Sequence, residues 1–113
     1  MNQPKFNRKK GARRSFLKNL MQNLIMKEKI ETTETRAKAL RPKLERLVTI
    51  AKKGQLANLR ILNSRLDNKR VAQKLFYEIG PKYKDRAGGY LRIIKLAGGR
   101  KRDAAKMARI EFL

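Results

Sequence analysis

The sequence predicts an α+β fold of two layers, with about four helices packed on a small mixed sheet. Apolar residues recur at helical spacing through most of the first two thirds of the chain, whereas β-prone runs punctuated by glycines fill the remainder. A hydrophobic fraction of 41% in 113 residues is enough for one modest core. We therefore expect a basic N-terminal arm at 1–14, then a single domain at 15–113 that carries a long basic hairpin loop.

The arm is the stretch MNQPKFNRKKGARR, which contains a proline, a glycine and six basic residues without apolar periodicity. We expect it to be extended and unfolded until a polyanion neutralises it. Helical spacing then begins after Ser15, a candidate N-cap. Core packing is the favoured interpretation of the resulting apolar stripe, with a membrane-surface helix as the alternative. The stripe consists of Phe16, Leu17, Leu20, Met21, Leu24 and Ile25.

A short β-prone run at 30–33 predicts the first strand. Either Thr33 or Thr35 can then cap a second helix, whose apolar positions keep helical spacing over 37–51. Pro42 lies inside that run and lacks a backbone donor. It predicts either a kink or a delayed helix start, and the sequence does not choose between them.

Two further helices follow at short spacing. Gly54 is the natural end of the second helix, and leucines recur over 56–66 to indicate a third. The Asp-Asn pair at 67–68 offers a cap for a fourth helix, whose apolar face covers 71–79. The Gly-Pro pair at 80–81 is expected to end it.

The pattern changes to strands after the proline. Residues 90–96 are β-prone, and residues 107–113 alternate between apolar and polar as a half-buried strand does. They predict an antiparallel pair joined by a long basic loop from Ala97 to Lys106. Together with the strand at 30–33 they form the small sheet that the helices cover.

Charge is the most informative part of the composition. Lys and Arg number 31 against 9 Asp and Glu, a formal net charge of +22. A compact chain with so much charge repels itself, so it is expected to lie against a polyanion, and the phosphates of nucleic acid fit best. A merely solvated surface needs far less net charge.

Several function classes are disfavoured by what the sequence lacks. There is no Cys and no His, which removes thiolate chemistry, most transition-metal ligands and the usual general base. No phosphate-loop or dinucleotide fingerprint occurs, and no run of about 18 apolar residues could span a membrane. We therefore expect no enzyme, no cofactor, no small-molecule substrate and no membrane partner. The basic, acid-free stretch at 1–27 also resembles an organellar transit peptide, although a functional helix fits it better.

The basic residues form two acid-poor clusters, which are candidate RNA contacts, with arginine ranked first because it can fork hydrogen bonds onto phosphate. Only Asp85 and Asp103 interrupt the second cluster. The first cluster comprises Lys5, Arg8, Lys9, Lys10, Arg13, Arg14 and Lys18, and the second comprises Lys82, Lys84, Arg86, Arg92, Arg100, Lys101, Arg102 and Lys106.

The segment Arg86-Ala87-Gly88-Gly89-Tyr90 supports two interpretations. Adjacent glycines allow positive φ angles and a close backbone approach to phosphate, with Arg86 alongside and Tyr90 as a stacking ring. The alternative is a tight turn before a strand, with Tyr90 packed in the core. Physical reasoning from the sequence leaves both open.

Carboxylate chemistry, as in a metal-dependent nuclease, has little support. Glu28, Glu31 and Glu34 are spaced by three, but the strand predicted between them prevents a common face. We interpret them as partners for neighbouring cations.

These residues resemble a known family, the bacterial large-subunit ribosomal protein numbered seventeen, over nearly the whole chain. The GP, RAGGY and DAA elements occur in the expected order, while the opening residues, the absence of His, Pro42 and Lys106 depart from the usual pattern. The motifs are FNRKKGARRSFLKNLMQNLI from Phe6, TT at 32–33, RAKALR from Arg36, LERLVTIAKK from Leu44, VAQKLFYEIGPKYKDRAGGYLRIIKL from Val71 and DAAKMARIEF from Asp103.

The resemblance implies binding to large-subunit rRNA near the outlet of the nascent-peptide tunnel, with a role in assembling that region beside neighbouring large-subunit proteins. It implies a cytoplasmic ribosome more than an organellar one. A free nucleic-acid-binding regulator and an RNA-processing enzyme are the competing classes. The residues that the resemblance points to are Arg8, Arg13, Arg14, Arg86, Gly88, Gly89, Tyr90 and Arg92.

Overall fold

A computed structural model describes the backbone of residues 10–97 and 105–113, and the side chains of residues 15–97 and 105–113. The helices pack against a three-stranded sheet, which confirms the α+β prediction. In chain order the elements are α1 (Lys10–Lys27), β1 (Lys29–Thr33), α2 (Glu34–Ala51), α3 (Leu56–Leu66), α4 (Lys69–Lys74), a π-helical turn (Leu75–Ile79), α5 (Gly80–Lys82), β2 (Leu91–Lys95) and β3 (Met107–Phe112).

The sheet has the order β1-β3-β2, and both pairings are antiparallel. The prediction of three strands is confirmed, but the sheet is antiparallel rather than mixed, because β1 and β2 each run in the direction opposite to the central strand β3. Alternation along β3 places Ala108 and Ile110 in the core, whereas Arg109 and Glu111 lie on the opposite face. The helices therefore cover one face, and the opposite face carries charged side chains together with Ile94 and Met107.

Helix α1 begins at Lys10 rather than at Ser15, so Ser15 is not its N-cap. The apolar periodicity begins only at Phe16, so it does not show where in the preceding basic stretch the helix begins. Residues 10–14, predicted as extended arm, are helical in the structure. Residues 1–9 lie outside the described residues.

Helix α2 begins where the threonine cap predicts. The Thr33 hydroxyl accepts a hydrogen bond from the backbone N–H of Arg36 at 3.3 Å, so Thr33 rather than Thr35 is the cap. Pro42 lies well inside the helix, which shows that it does not delay the start.

The fourth helix is longer than predicted. Asn68 caps it, with its side-chain oxygen 3.2 Å from the N–H of Val71, while Asp67 adopts a left-handed conformation that ends α3. The helix does not end at Gly80 and Pro81 but continues through the π-helical turn into α5. Gly80 is helical, and a Cβ there would lie 3.0–3.1 Å from the backbone of Ala51. Its role is therefore close packing on α2 rather than termination.

Candidate nucleic-acid interface

The first basic cluster lies on and before α1. Lys10, Arg13 and Arg14 occupy the beginning of this helix, and Lys18 follows on its described part. Lys18 is half-buried and approaches Asp67 at 3.8 Å, a loose pair because the Asp67 carboxylate is mostly exposed. The remaining members, Lys5, Arg8 and Lys9, lie outside the described residues.

The second cluster surrounds the segment between α5 and β2. Arg86 is exposed in this segment, and Arg92 lies on β2, where its Nε is 2.9 Å from the Glu111 carboxylate. Lys106 is exposed just before β3, and its carbonyl accepts a hydrogen bond from the N–H of Glu34 at 2.9 Å. The members Arg100, Lys101 and Arg102 lie outside the described residues.

The fold requires glycine at only one of the two glycine positions of this turn. Gly89 has a φ of +67°, a left-handed conformation that disfavours any side chain. Gly88 does not have a positive φ, and a Cβ added there would meet no atom within 4 Å. The folded chain alone therefore gives no reason for glycine at 88, and the backbone there is open to an approaching ligand.

The Tyr90 ring is buried in the core of the folded chain. Tyr90 is 1% exposed, and its ring packs against Tyr83 with centroids 5.3 Å apart. The hydroxyl lies 3.3 Å from the Arg86 carbonyl and 3.4 Å from the Thr49 hydroxyl, and the Lys52 ammonium lies 5.2 Å from the ring centre. The packed alternative is thus the observed one, because a buried tyrosine satisfies its hydroxyl within the core. Through its hydroxyl, Tyr90 fixes the backbone at Arg86 from the core side.

A residue that sequence reasoning missed holds the other end of this turn. The Glu45 carboxylate on α2 accepts hydrogen bonds from the backbone N–H groups of Tyr90 and Leu91, at 3.2 and 3.3 Å. These two donors lie at the first residue of the edge strand β2 and at the residue before it, on the side away from β3, so the carboxylate satisfies them. The sequence does hint at this role, since Glu45 follows the apolar Leu44 in a helix that is otherwise rich in cations.

Removing this carboxylate is expected to destabilise the fold. We expect Glu45→Ala to lower the free energy of unfolding by about 2–3 kcal/mol, since it leaves two largely buried donors without a charged acceptor. Urea denaturation followed by circular dichroism measures this change. Glu45→Gln keeps one acceptor oxygen and should cost less, and the exposed Glu31→Ala should stay within about 0.5 kcal/mol of the parent. Equal values for Glu45→Ala and Glu31→Ala would contradict this role.

Other acids act as partners for cations, which confirms the interpretation of Glu28 and Glu34. Glu28 lies 3.5 Å from both Lys74 and Lys82. Glu34 lies 3.0 Å from Lys38, and the hydrogen bond from Lys38 is the main reason that the pKa of Glu34 is lowered. Within residues 10–97 and 105–113 no three acidic side chains come together as a metal site would require.

Comparison with known proteins decides the family. The sequence profile described as "Ribosomal protein L17" matches residues 16–113. The chain belongs to this family. A relative from Persephonella marina, named "Large ribosomal subunit protein bL17", is 52% identical over 96% of this chain and 88% of its own length. Relatives of the same name from Hydrogenobaculum sp. and Sphingopyxis alaskensis are 44% and 49% identical, each over 96% of this chain and over 92% and 78% of their own lengths.

Membership in the ribosomal protein L17 family makes this chain a structural protein and not an enzyme. The family match begins at residue 16, so it includes the glycine turn, Glu45 and Tyr90, while most of the first basic cluster precedes it. Among the helices that the structure describes, none is long and apolar enough to cross a bilayer.

Proposed function

We propose that this chain is a structural constituent of the large ribosomal subunit that binds large-subunit rRNA and supports its assembly near the exit of the nascent-peptide tunnel. Neighbouring large-subunit proteins are the other partners, in a cytoplasmic ribosome. The names of the relatives and the net charge of +22 support this proposal. Ribosomal RNA presents enough phosphate to neutralise such a chain.

The observation that carries the proposal is the open glycine turn with unpaired cations beside it. Lys84 and Arg86 are exposed, and neither forms an ion pair within the described part of the chain. Glu45 and Tyr90 fix the backbone of this turn from the protein side. Asp85 is the one acid between Lys84 and Arg86. A preorganised turn with two exposed, unpaired cations and bare backbone at Gly88 is suited to an RNA backbone.

The proposed contacts follow from this arrangement. Tyr90 acts by positioning the turn, so it does not belong among the residues that touch RNA. Arg92 forms an ion pair with Glu111, so it contributes less to RNA binding than an unpaired arginine would. The remaining proposed contacts are Lys5, Arg8, Lys9, Lys10, Arg13, Arg14, Lys18, Arg86, Gly88, Gly89, Arg100, Lys101, Arg102 and Lys106.

Filter binding to transcribed large-subunit rRNA, with small-subunit rRNA as competitor, tests the proposal. We expect tighter binding to the large-subunit transcript, because a shaped contact surface discriminates RNA folds that charge alone does not. Equal affinity for both transcripts would contradict a specific role in the large subunit.

Gly88→Ala tests the turn itself. We expect it to leave the free energy of unfolding unchanged or to raise it by up to about 1 kcal/mol, because the position is open and φ is not positive. Affinity for large-subunit rRNA should fall about 10- to 100-fold, the loss of one or two charged hydrogen bonds between backbone and phosphate. Gly89→Ala is the comparison, since it should destabilise the fold through its positive φ. Unchanged affinity of Gly88→Ala would remove the turn from the interface.

A further inference from the structure

A groove separate from the glycine turn lies between α1, α2 and α3. It encloses about 430 Å³, within the roughly 300–1,000 Å³ range of pockets that hold small organic groups. Its floor is apolar and consists of Leu17 and Met21 from α1 and Leu47 from α2. These three side chains are 3–8% exposed, so they form the edge of the core that the groove reaches.

The rim of the groove is strongly cationic. Lys18, Lys43, Arg46 and Arg65 line it, together with the hydroxyl of Ser64. Lys18 has the loose pair with Asp67 described above, and the other three form no ion pair within the described part of the chain. Four cations around one hollow repel each other, so an anionic occupant relieves that repulsion.

We propose that this groove holds one unpaired nucleotide of the rRNA, with its base against the apolar floor and its phosphate at the cationic rim. The inference rests on the proposed function. An unstacked base is apolar on its faces, and the Met21 thioether makes favourable contacts with aromatic rings. Duplex RNA keeps the faces of its bases stacked and presents mainly phosphates and riboses, so it would leave the apolar floor uncovered. The groove thus adds Lys43, Arg46 and Arg65 to the residues expected to contact RNA.

A matched pair of triple variants tests the cationic rim. The groove variant carries Lys43→Gln, Arg46→Gln and Arg65→Gln, and the control carries Lys53→Gln, Arg60→Gln and Arg70→Gln. Both remove one lysine and two arginines from helical or turn positions on the surface, and both should fold as the parent does. We expect the groove variant to bind large-subunit rRNA at least about 10-fold more weakly than the control, because local phosphate contacts add to the general charge effect. Equal weakening of the two variants would overturn the proposal.

Methyl NMR of methionine tests the apolar floor without changing any residue. Met21 lies in the groove, while Met26 and Met107 lie elsewhere and serve as internal references. Single-stranded oligoadenylate should shift the Met21 methyl resonance upfield through the ring current of a base, and duplex RNA should not. A Met21 resonance that moves with oligoglutamate, but not with oligoadenylate, would assign the groove to an acidic protein segment and overturn the proposal.

The outcomes separate the two proposals. If the parent protein fails to prefer large-subunit rRNA, the proposed function fails. If the parent shows that preference while the groove variant matches its control and the Met21 resonance stays in place, only the groove inference fails.

Discussion

The affinity of this chain for large-subunit rRNA is expected to fall about a thousand- to a hundred-thousand-fold between about 50 and about 200 mM monovalent salt. This is the decrease for a protein that neutralises roughly 6–10 phosphates and releases their condensed counterions. The chain carries 31 basic residues against 9 acids, and the turn and groove place several unpaired cations on its surface. Fluorescence anisotropy with a labelled rRNA fragment measures the salt dependence directly.

The stability of the fold provides the control for this measurement. Salt screens the repulsion among the surplus cations, so the free energy of unfolding should stay level or rise over the same range. The loss of affinity would then result from weaker contacts between the protein and the RNA, and not from unfolding of the protein. A flat dependence of affinity on salt would contradict a phosphate-based interface.

The second large effect is expected from Tyr90→Ala, which should lower the free energy of unfolding by about 3–5 kcal/mol. The ring is fully buried against Tyr83, and its removal leaves a cavity beside the turn. Natural domains have about 5–15 kcal/mol of stability in total, so the variant should be close to unfolding. Urea denaturation measures the change. Tyr90→Phe keeps the packing and loses only the hydroxyl contacts, so it should cost about 1 kcal/mol.

RNA binding distinguishes the two roles considered for Tyr90. Tyr90→Phe keeps a ring and should bind rRNA nearly as the parent does in either role, so Tyr90→Ala decides: if the ring is structural, this variant should lose stability and rRNA affinity together. A Tyr90→Ala variant that remains as stable as the parent but binds rRNA weakly would show instead that the ring contacts a base.

Most of the fold could be predicted because apolar spacing records which faces are buried. The strands at 30–33 and 107–113 and the helix at 37–51 show this directly. The ends of the elements were harder to predict, since Ala12 is the one apolar residue before Phe16 in α1 and a single residue shows no periodicity. The continuation of the fourth helix past Gly80 depends on its packing against Ala51, a contact that no local pattern encodes.

The site was predicted in part for a similar reason. Charge is visible residue by residue, so the basic clusters and the glycine turn could be identified from the sequence. The burial of Tyr90 and the two hydrogen bonds to Glu45 join segments that are 45 to 46 residues apart in the sequence. The groove also needs three helices to converge, and its cations are scattered in the sequence from Lys18 to Arg65.

Sedimentation of cell extracts shows whether the chain is part of the large ribosomal subunit. We expect the tagged chain, after a moderate salt wash and separation of the subunits, to sediment in the large-subunit fraction in near-equal proportion to the rRNA. A chain found mainly in the small-subunit fraction, or in the ribosome-free fraction, would contradict the proposed function.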